Sequence, residues 1–169
     1  MQNLKEEKEI KAGDVLDIYT NLENLGVKIW IDGGWAKDAL LGEITRSHSD
    51  LDIAIEHKNV KKFREFFQQS GYAEIERAED KKCDFVLSDD KGHEIDVHAF
   101  SFDENGEVIE ENDWAGYCKK SLTGLGNING QLVRCVSLEH LIKTHDASKR
   151  ILREKDFKDM ENLKKKFDF

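Results

Sequence analysis

The sequence predicts an α+β fold, a mixed sheet flanked by helices with a short helical segment at the C-terminal end. Three observations lead there. Apolar positions switch between helical and alternating spacing along the first hundred residues. An apolar run stops at the adjacent glycines of Asp32-Gly33-Gly34. Three strand-like runs then follow between residues 72 and 100, with a turn between the last two. The order helix, strand, helix, strand, helix, then antiparallel strands, then helices is that of an α+β domain.

Each element has a local cause. From Asp14, the positions Val15, Ile18, Tyr19, Leu22 and Leu25 fall at helical spacing, and Gly26 closes the helix. V-K-I-W-I suits a buried strand that ends at Asp32, and W-A-K-D-A-L-L a short helix closed by Gly42. L-D-I-A-I-E alternates with period two, so Leu51, Ile53 and Ile55 share one face while Asp50, Asp52 and Glu56 share the other. V-K-K-F-R-E-F-F-Q-Q-S forms an amphipathic helix with Val60, Phe63, Phe66 and Phe67 inward and Gly71 as its stop. Y-A-E-I-E, D-F-V-L-S and H-E-I-D-V-H-A-F read as strands, and D-D-K-G at 89–92 as a hairpin turn. Residues 103–130, rich in Gly, Asn, Asp and Glu, read mostly as a long loop, and loops of that length in compact domains are usually functional. L-V-R-C-V is a short strand, Ser137 opens a helix, and a last helix runs through F-K-D-M-E-N-L-K-K-K-F. A single domain over 1–169 is expected, with its core in 13–102 and a C-terminal strand and helices in 131–167.

Bulk properties narrow the function. The chain has 169 residues, 38% hydrophobic and 36% charged, with no proline, which fits a soluble globular protein rather than a disordered one. No apolar stretch reaches the length of a membrane span, and M-Q-N-L-K-E-E-K-E-I-K is charged where a signal peptide would be apolar, so a cytoplasmic location is expected. Cys83, Cys118 and Cys135 are odd in number and widely spaced, forming neither a disulfide framework nor a C-x-x-C metal pair. A formal charge of -9 disfavours general nucleic-acid binding and weakly favours a cationic small molecule.

The positions that carry chemistry cluster in K-I-W-I-D-G-G-W-A-K-D-A-L-L-G-E-I-T-R-S-H-S-D-L-D-I-A-I, residues 28–55. Gly33-Gly34 at a strand-to-helix junction lets backbone N–H groups approach an anion near a helix start, although such a pair also serves as a plain tight turn. Asp50 and Asp52 leave the same strand face, where a divalent cation would relieve their repulsion; the bland alternative is a solvated strand edge. In H-E-I-D-V-H-A-F, Asp96 alternates with Ile95 and Val97. If that strand lies beside 51–55 with apolar faces aligned, Asp96 points into the same space as Asp50 and Asp52. Three carboxylates around one cleft suit phosphoryl transfer, with metal ligands and an acid able to take a proton from an attacking hydroxyl.

G-G-W, D-L-D and the later I-D-V-H together resemble the DNA polymerase beta-like nucleotidyltransferase superfamily. Within it, residues 30–53 are similar to the small antibiotic nucleotidyltransferases, namely the lincosamide adenylyltransferases and the aminoglycoside 2''-adenylyltransferases. The resemblance extends through L-V-R-C-V-S-L-E and, more faintly, H-D-A-S and D-F-K-D-M-E-N-L, covering residues 15 to 163. It implies the superfamily's fold, with Mg²⁺ as cofactor and ATP as the donor of AMP to a hydroxyl of a small antibiotic. Gly33 and Gly34 would hold phosphates, Asp50 and Asp52 would bind Mg²⁺, and Asp96 would be the general base and touch a metal. Arg46 and His48 match the family's Arg-x-His and would contact phosphate. D-G-G-W is closer to the lincosamide enzymes, whereas E-I-T-R-S-H is nearer to the R-V-T-R-K-H of the aminoglycoside group.

Other positions carry competing explanations. Trp35 is better explained as packing at the helix start than as a stacking partner for adenine. His98 lies on the catalytic face, where a neutral histidine satisfying a neighbour explains it as well as a ligand does. His93, Glu94 and His98 lack a fourth Zn²⁺ ligand. Trp114, Tyr117, Glu110, Glu111 and Asp113 suit a cationic sugar-like drug, though surface acids are usually just solvated. His145 matches a histidine of the lincosamide enzymes without a role attached. A module of the same fold acting on a protein partner, of toxin–antitoxin type, or only binding nucleotide is the competing function, and a homodimer is the expected assembly if there is one.

Overall fold

The computed structural model describes residues 8–76, 84–109 and 116–169. Helix α1 spans Ala12–Asn24, β1 Ile29–Asp32, α2 Gly33–Leu41, β2 Asp50–Glu56 and α3 Val60–Gln69. Strands β3 (Ala73–Ile75), β4 (Phe85–Ser88), β5 (Glu94–Phe102) and β6 (Val108–Ile109) follow. Then come β7 (Gly124–Ile128), β8 (Gln131–Cys135), α4 (Leu138–Thr144) and α5 (Glu154–Phe167). The sheet runs β3-β4-β5-β2-β1-β8-β7, with β6 added to β5. It is mixed, because β2 lies parallel to β5 and β1 parallel to β8, while the remaining neighbours are antiparallel.

The alternation in β2 decides which way the site faces. Leu51, Ile53 and Ile55 are each 0% exposed, and burying each contributes roughly 1.5–3 kcal/mol. A one-residue slip would turn all three outward, so the acids are held on the opposite face by the apolar side chains between them. On the core side α1 supplies Val15, Tyr19 and Leu22, and α3 supplies Val60, Phe63 and Phe67. Helix boundaries follow their caps. Asp32 caps α2 by accepting from Gly33 N–H at 2.7 Å, and Gly42 closes it at φ 76°. Ser137 caps α4 by accepting from His140 N–H.

Two expectations need correction. Residues 103–130 carry more structure than one long loop would: β6, a 3₁₀ turn at Lys119–Leu122 and the edge strand β7 all fall inside that span. Glycines hid β7. A Cβ on Gly126 would lie 2.6 Å from the backbone of Ala39, and one on Gly124 would strike the Val136 carbonyl, so these glycines mark close strand approach, not a turn. The last helix also starts earlier, at Glu154, because Asp156 caps it by accepting from Arg153 N–H at 2.9 Å. Glu110, Glu111, Asp113, Trp114 and Cys83 lie outside the described residues. Among the described residues, no helix is long and apolar enough to cross a membrane.

Candidate active site

The strand pairing expected for Asp96 is present. β2 and β5 pair in parallel with Asp52 opposite Asp96 and Asp50 opposite Glu94. β1 pairs with β2 so that Asp32 lies opposite Asp52. Asp32, Asp52 and Asp96 therefore form a row across three adjacent strands, with Asp50 two residues along the central one. Directly paired residues on one face sit within roughly 5.5 Å at Cβ, so the charges interact. Burial pushes the Asp52 carboxyl well above the ordinary range, reinforced by Asp50, Asp96 and Asp32, and Lys37 offsets this only in part. The donor set thus lacks positive charge, and a divalent cation fits it. Among the described residues no three His, Cys, Asp or Glu side chains form a ready-made metal cage. Mg²⁺ does not require one, since it takes one or two carboxylates together with substrate phosphates and water.

Asp32 is a fourth acid that the sequence did not single out. Its Oδ1 accepts from Gly33 N–H and its Oδ2 accepts from Tyr117 Oη–H at 2.5 Å. Although burial acts to raise it, the nearby His140 and His98, with these two hydrogen bonds, hold its carboxyl below the usual range. Tyr117 also stacks on His140 with ring centroids 5.0 Å apart, and His140 Nδ1 lies 3.0 Å from Ser121 Oγ. Burial, with Lys143 and His98, lowers the His140 pKa against the pull of Asp32.

The glycine turn leaves no room for side chains. Gly33 has φ 60°, and a Cβ there would collide with the Asp52 carboxylate. A Cβ on Gly34 would fall 2.6 Å from Arg46 Nη2 and 2.7 Å from His48 Nδ1. The two glycines thus let β1 and α2 press against the acids on one side and the Arg46-His48 segment on the other. Arg46 lines the cleft, as expected of a phosphate contact. His48 does not. It is 4% exposed under the turn, its Nε2 lies 2.6 Å from Asp38 Oδ2, and its ring packs on Trp35 at 4.6 Å. The expected phosphate contact at His48 is replaced by a role in pinning α2, because a ring at that depth reaches only its buried neighbours. Trp35, at 1% exposure, is core. His93 is bound to Asp89 at the hairpin turn and is not part of the cleft wall.

A cleft of about 640 Å³ opens over these groups. Asp32, Asp50, Asp52 and Asp96 line it, together with His98, Tyr117 and His140. Lys37, Arg46, Lys149, Arg150, Arg153 and Lys155 line the same cleft. Four of these six come from residues 149–155, just before and within the first turn of α5. His145 lines the cleft as well; burial, with Lys37 and Arg150, drops its pKa to about 4. The cationic density of S-K-R-I-L-R-E-K was visible in the sequence, but nothing local tied it to residues a hundred positions earlier. Carboxylates and cations lining one cleft can hold a metal-bound nucleotide by its phosphates while an acid stands beside the reacting atom.

Comparison with known proteins shows the family. Residues 14–163 match the family model described as aminoglycoside-2''-adenylyltransferase. A lincosamide resistance protein of Staphylococcus haemolyticus is 26% identical over 153 residues, covering 89% of this chain and 90% of the relative. A 2''-aminoglycoside nucleotidyltransferase of Escherichia coli is 32% identical over 127 residues, covering 74% of this chain and 67% of that one. The fold is that of the lincosamide antibiotic adenylyltransferase LnuA in its lincomycin-bound crystal structure, with TM-score 0.79 and 24% identity over 92% of this chain and 98% of that one. ANT(2'')-Ia in complex with adenylyl-2''-tobramycin has the same fold, with TM-score 0.73 and 20% identity over 92% and 88% of the two chains. The chain is a nucleotidyltransferase belonging to the aminoglycoside-2''-adenylyltransferase family.

Proposed function

We propose that this enzyme transfers AMP from ATP, with Mg²⁺, to a hydroxyl of a small antibiotic of the lincosamide or aminoglycoside class. The observation that carries the proposal is the row of Asp32, Asp52 and Asp96, with Asp50 beside it, in one cleft with the cations of residues 149–155. The names of the relatives supply the drug classes. The near-complete mutual coverage with the lincosamide resistance protein puts lincosamides first in order of testing.

The chain's own groups divide the work. Arg46 and the 149–155 cations receive the triphosphate, overriding locally the net acidity of the whole chain. Asp96, 7% exposed, stands where it can accept the proton of the attacking hydroxyl. The acceptor oxygen bonds to the α-phosphorus, the bond from that phosphorus to the bridging oxygen breaks, and pyrophosphate leaves toward the basic wall. Asp50 and Asp52, with Asp96, would hold Mg²⁺, which when bound offsets charge on the phosphates. The acceptor would approach along His98, Tyr117 and His140, the part of the wall not occupied by cations.

Incubation with α-labelled ATP and Mg²⁺ against lincosamide and aminoglycoside panels tests the proposal. Label appearing in one panel identifies the acceptor class. Label on a protein and on neither drug panel would favour the module that modifies a protein partner.

A further inference from the structure

The cations nearest the glycine turn are themselves held by two acids of α5. Asp156 and Asp159 lie three residues apart on one helical face and are 2% and 3% exposed. Lys37 of α2, also 2% exposed, lies between them, 3.2 Å from Asp159 and 3.7 Å from Asp156. Arg46 contacts Asp159 with two groups, Nη2 at 3.0 Å and Nε at 3.1 Å. That fork fixes the guanidinium plane, which a single contact would leave free to rotate. Arg46 nevertheless keeps 25% of its side chain exposed and lines the cleft, with Nη2 against the backbone of Gly34. Asp159 therefore grips the guanidinium from behind and leaves an edge toward the ligand. Asp156 is additionally approached by Arg150 at 3.5 Å and Arg153 at 3.4 Å, so cations outnumber these acids and the wall stays positive.

We propose that Asp159, seconded by Asp156, is a positioning residue for nucleotide binding: from α5 it sets Lys37 and Arg46 against the glycine turn before the phosphates arrive. The C-terminal helix is then part of the donor site although none of its apolar residues touches it. A buried salt bridge kept only for packing is a poor stabiliser, since desolvating the ions offsets most of their attraction. Pre-orienting two cations instead gains affinity by removing the entropy of ordering them on binding. Asp159's role presupposes nucleotide transfer at this cleft, so the wild-type activity on labelled ATP is established first; its absence would overturn the transfer itself, independently of Asp159.

The test compares Asp159→Asn, Asp159→Glu and Lys166→Met in steady-state transfer and thermal unfolding. Lys166 binds the Leu40 and Leu41 carbonyls at the other end of the α2–α5 contact and touches none of these cations, so it reports packing alone. Asp159→Asn is expected to raise the nucleotide KM about tenfold, the scale of one charge-assisted hydrogen bond, with kcat and the acceptor KM changed less than about threefold. Asp159→Glu should recover most of that loss, and Lys166→Met should lower Tm without moving the nucleotide KM. Equal KM effects from Asp159→Asn and Lys166→Met, or an unchanged nucleotide KM in Asp159→Asn, overturn the assignment. If Asp159→Asn does not fold, Arg46→Lys at the cleft surface decides. It retains the charge but loses the fork, and a wild-type nucleotide KM in that variant also overturns the assignment.

Discussion

Residues 29–56 and residues 144–167 both line the same cleft, yet they are built in opposite ways. The first segment places its acids by local rules. Period-two alternation in β2 and glycines at the turn set which side chains face out, and the neighbouring strands need only pair in register. The second segment has no such rule. Its cations sit in a connection and a first helical turn, and they converge on the acids only because α5 packs back on α2 through Lys37, Asp156 and Asp159. A site half made by strand periodicity and half by helix docking should fail differently at its two halves.

The largest expected effect is on the strand side. Asp96→Asn, Asp52→Asn and Asp50→Asn should each reduce transfer by at least about 10³-fold, the scale of losing an essential base or the charge that holds the metal. MgATP binding should weaken mainly in the latter two. Near-normal turnover in any one of the three would remove that residue from the proposed machinery, and thereby its half of the comparison.

Gly33→Ala should come next. A left-handed backbone at a non-glycine residue costs roughly 1–2 kcal/mol, and the new Cβ would displace the Asp52 carboxylate. Misplacing a reacting group by about 1 Å can cost about 100-fold, so transfer should fall by that order while the protein stays folded. Wild-type kinetics in Gly33→Ala would show that the tight turn serves only the fold.

On the C-terminal side the effects should be smaller and fall on binding. Replacing Arg150 and Arg153 together by Ala should raise the nucleotide KM about tenfold, with little change in kcat, and the difference from wild type should shrink at high salt. A dominant effect on kcat would instead place these residues at the transition state and erase the contrast between the two segments.

The smallest effect is a pH dependence of stability. His145, whose pKa falls to about 4 in the fold, is neutral in the native protein but titrates near its ordinary value when unfolded. The unfolded chain therefore binds the extra proton between those values. This contribution is fully present above about pH 6.5 and is lost as pH falls toward 4, on the order of 3 kcal/mol. His145→Asn should flatten unfolding free energy against pH across that window, compared as a slope and not as an absolute stability. An unchanged slope would mean that the ring is not held neutral at the base of the cationic wall.

Features set by local periodicity are legible in the sequence. Leu51, Ile53 and Ile55 lie inward as their spacing requires, and Asp96 joins Asp52 because Ile95 and Val97 obey the same alternation. Strand β7 was missed because Gly124 and Gly126 have the composition of a turn, and only the proximity of Val136 and Ala39 explains them. The resemblance of R-S-H to the family's Arg-x-His points His48 at the phosphates, but the partners of a buried ring depend on what packs over it, here Asp38 and Trp35. Asp32 escaped notice because its neighbours Asp52 and Tyr117 are twenty and eighty-five positions away.

By itself the sequence determined the α+β order, the glycine turn and the face on which Asp50, Asp52 and Asp96 lie. These follow from periodicity and backbone sterics, which act over a few residues. Only the tertiary structure decided that Asp32 completes the acid row, that His48 is buried, and that the cations of residues 149–155 line the same cleft. Those outcomes depend on which distant surfaces pack together, and on where burial forces each charge to find its partner.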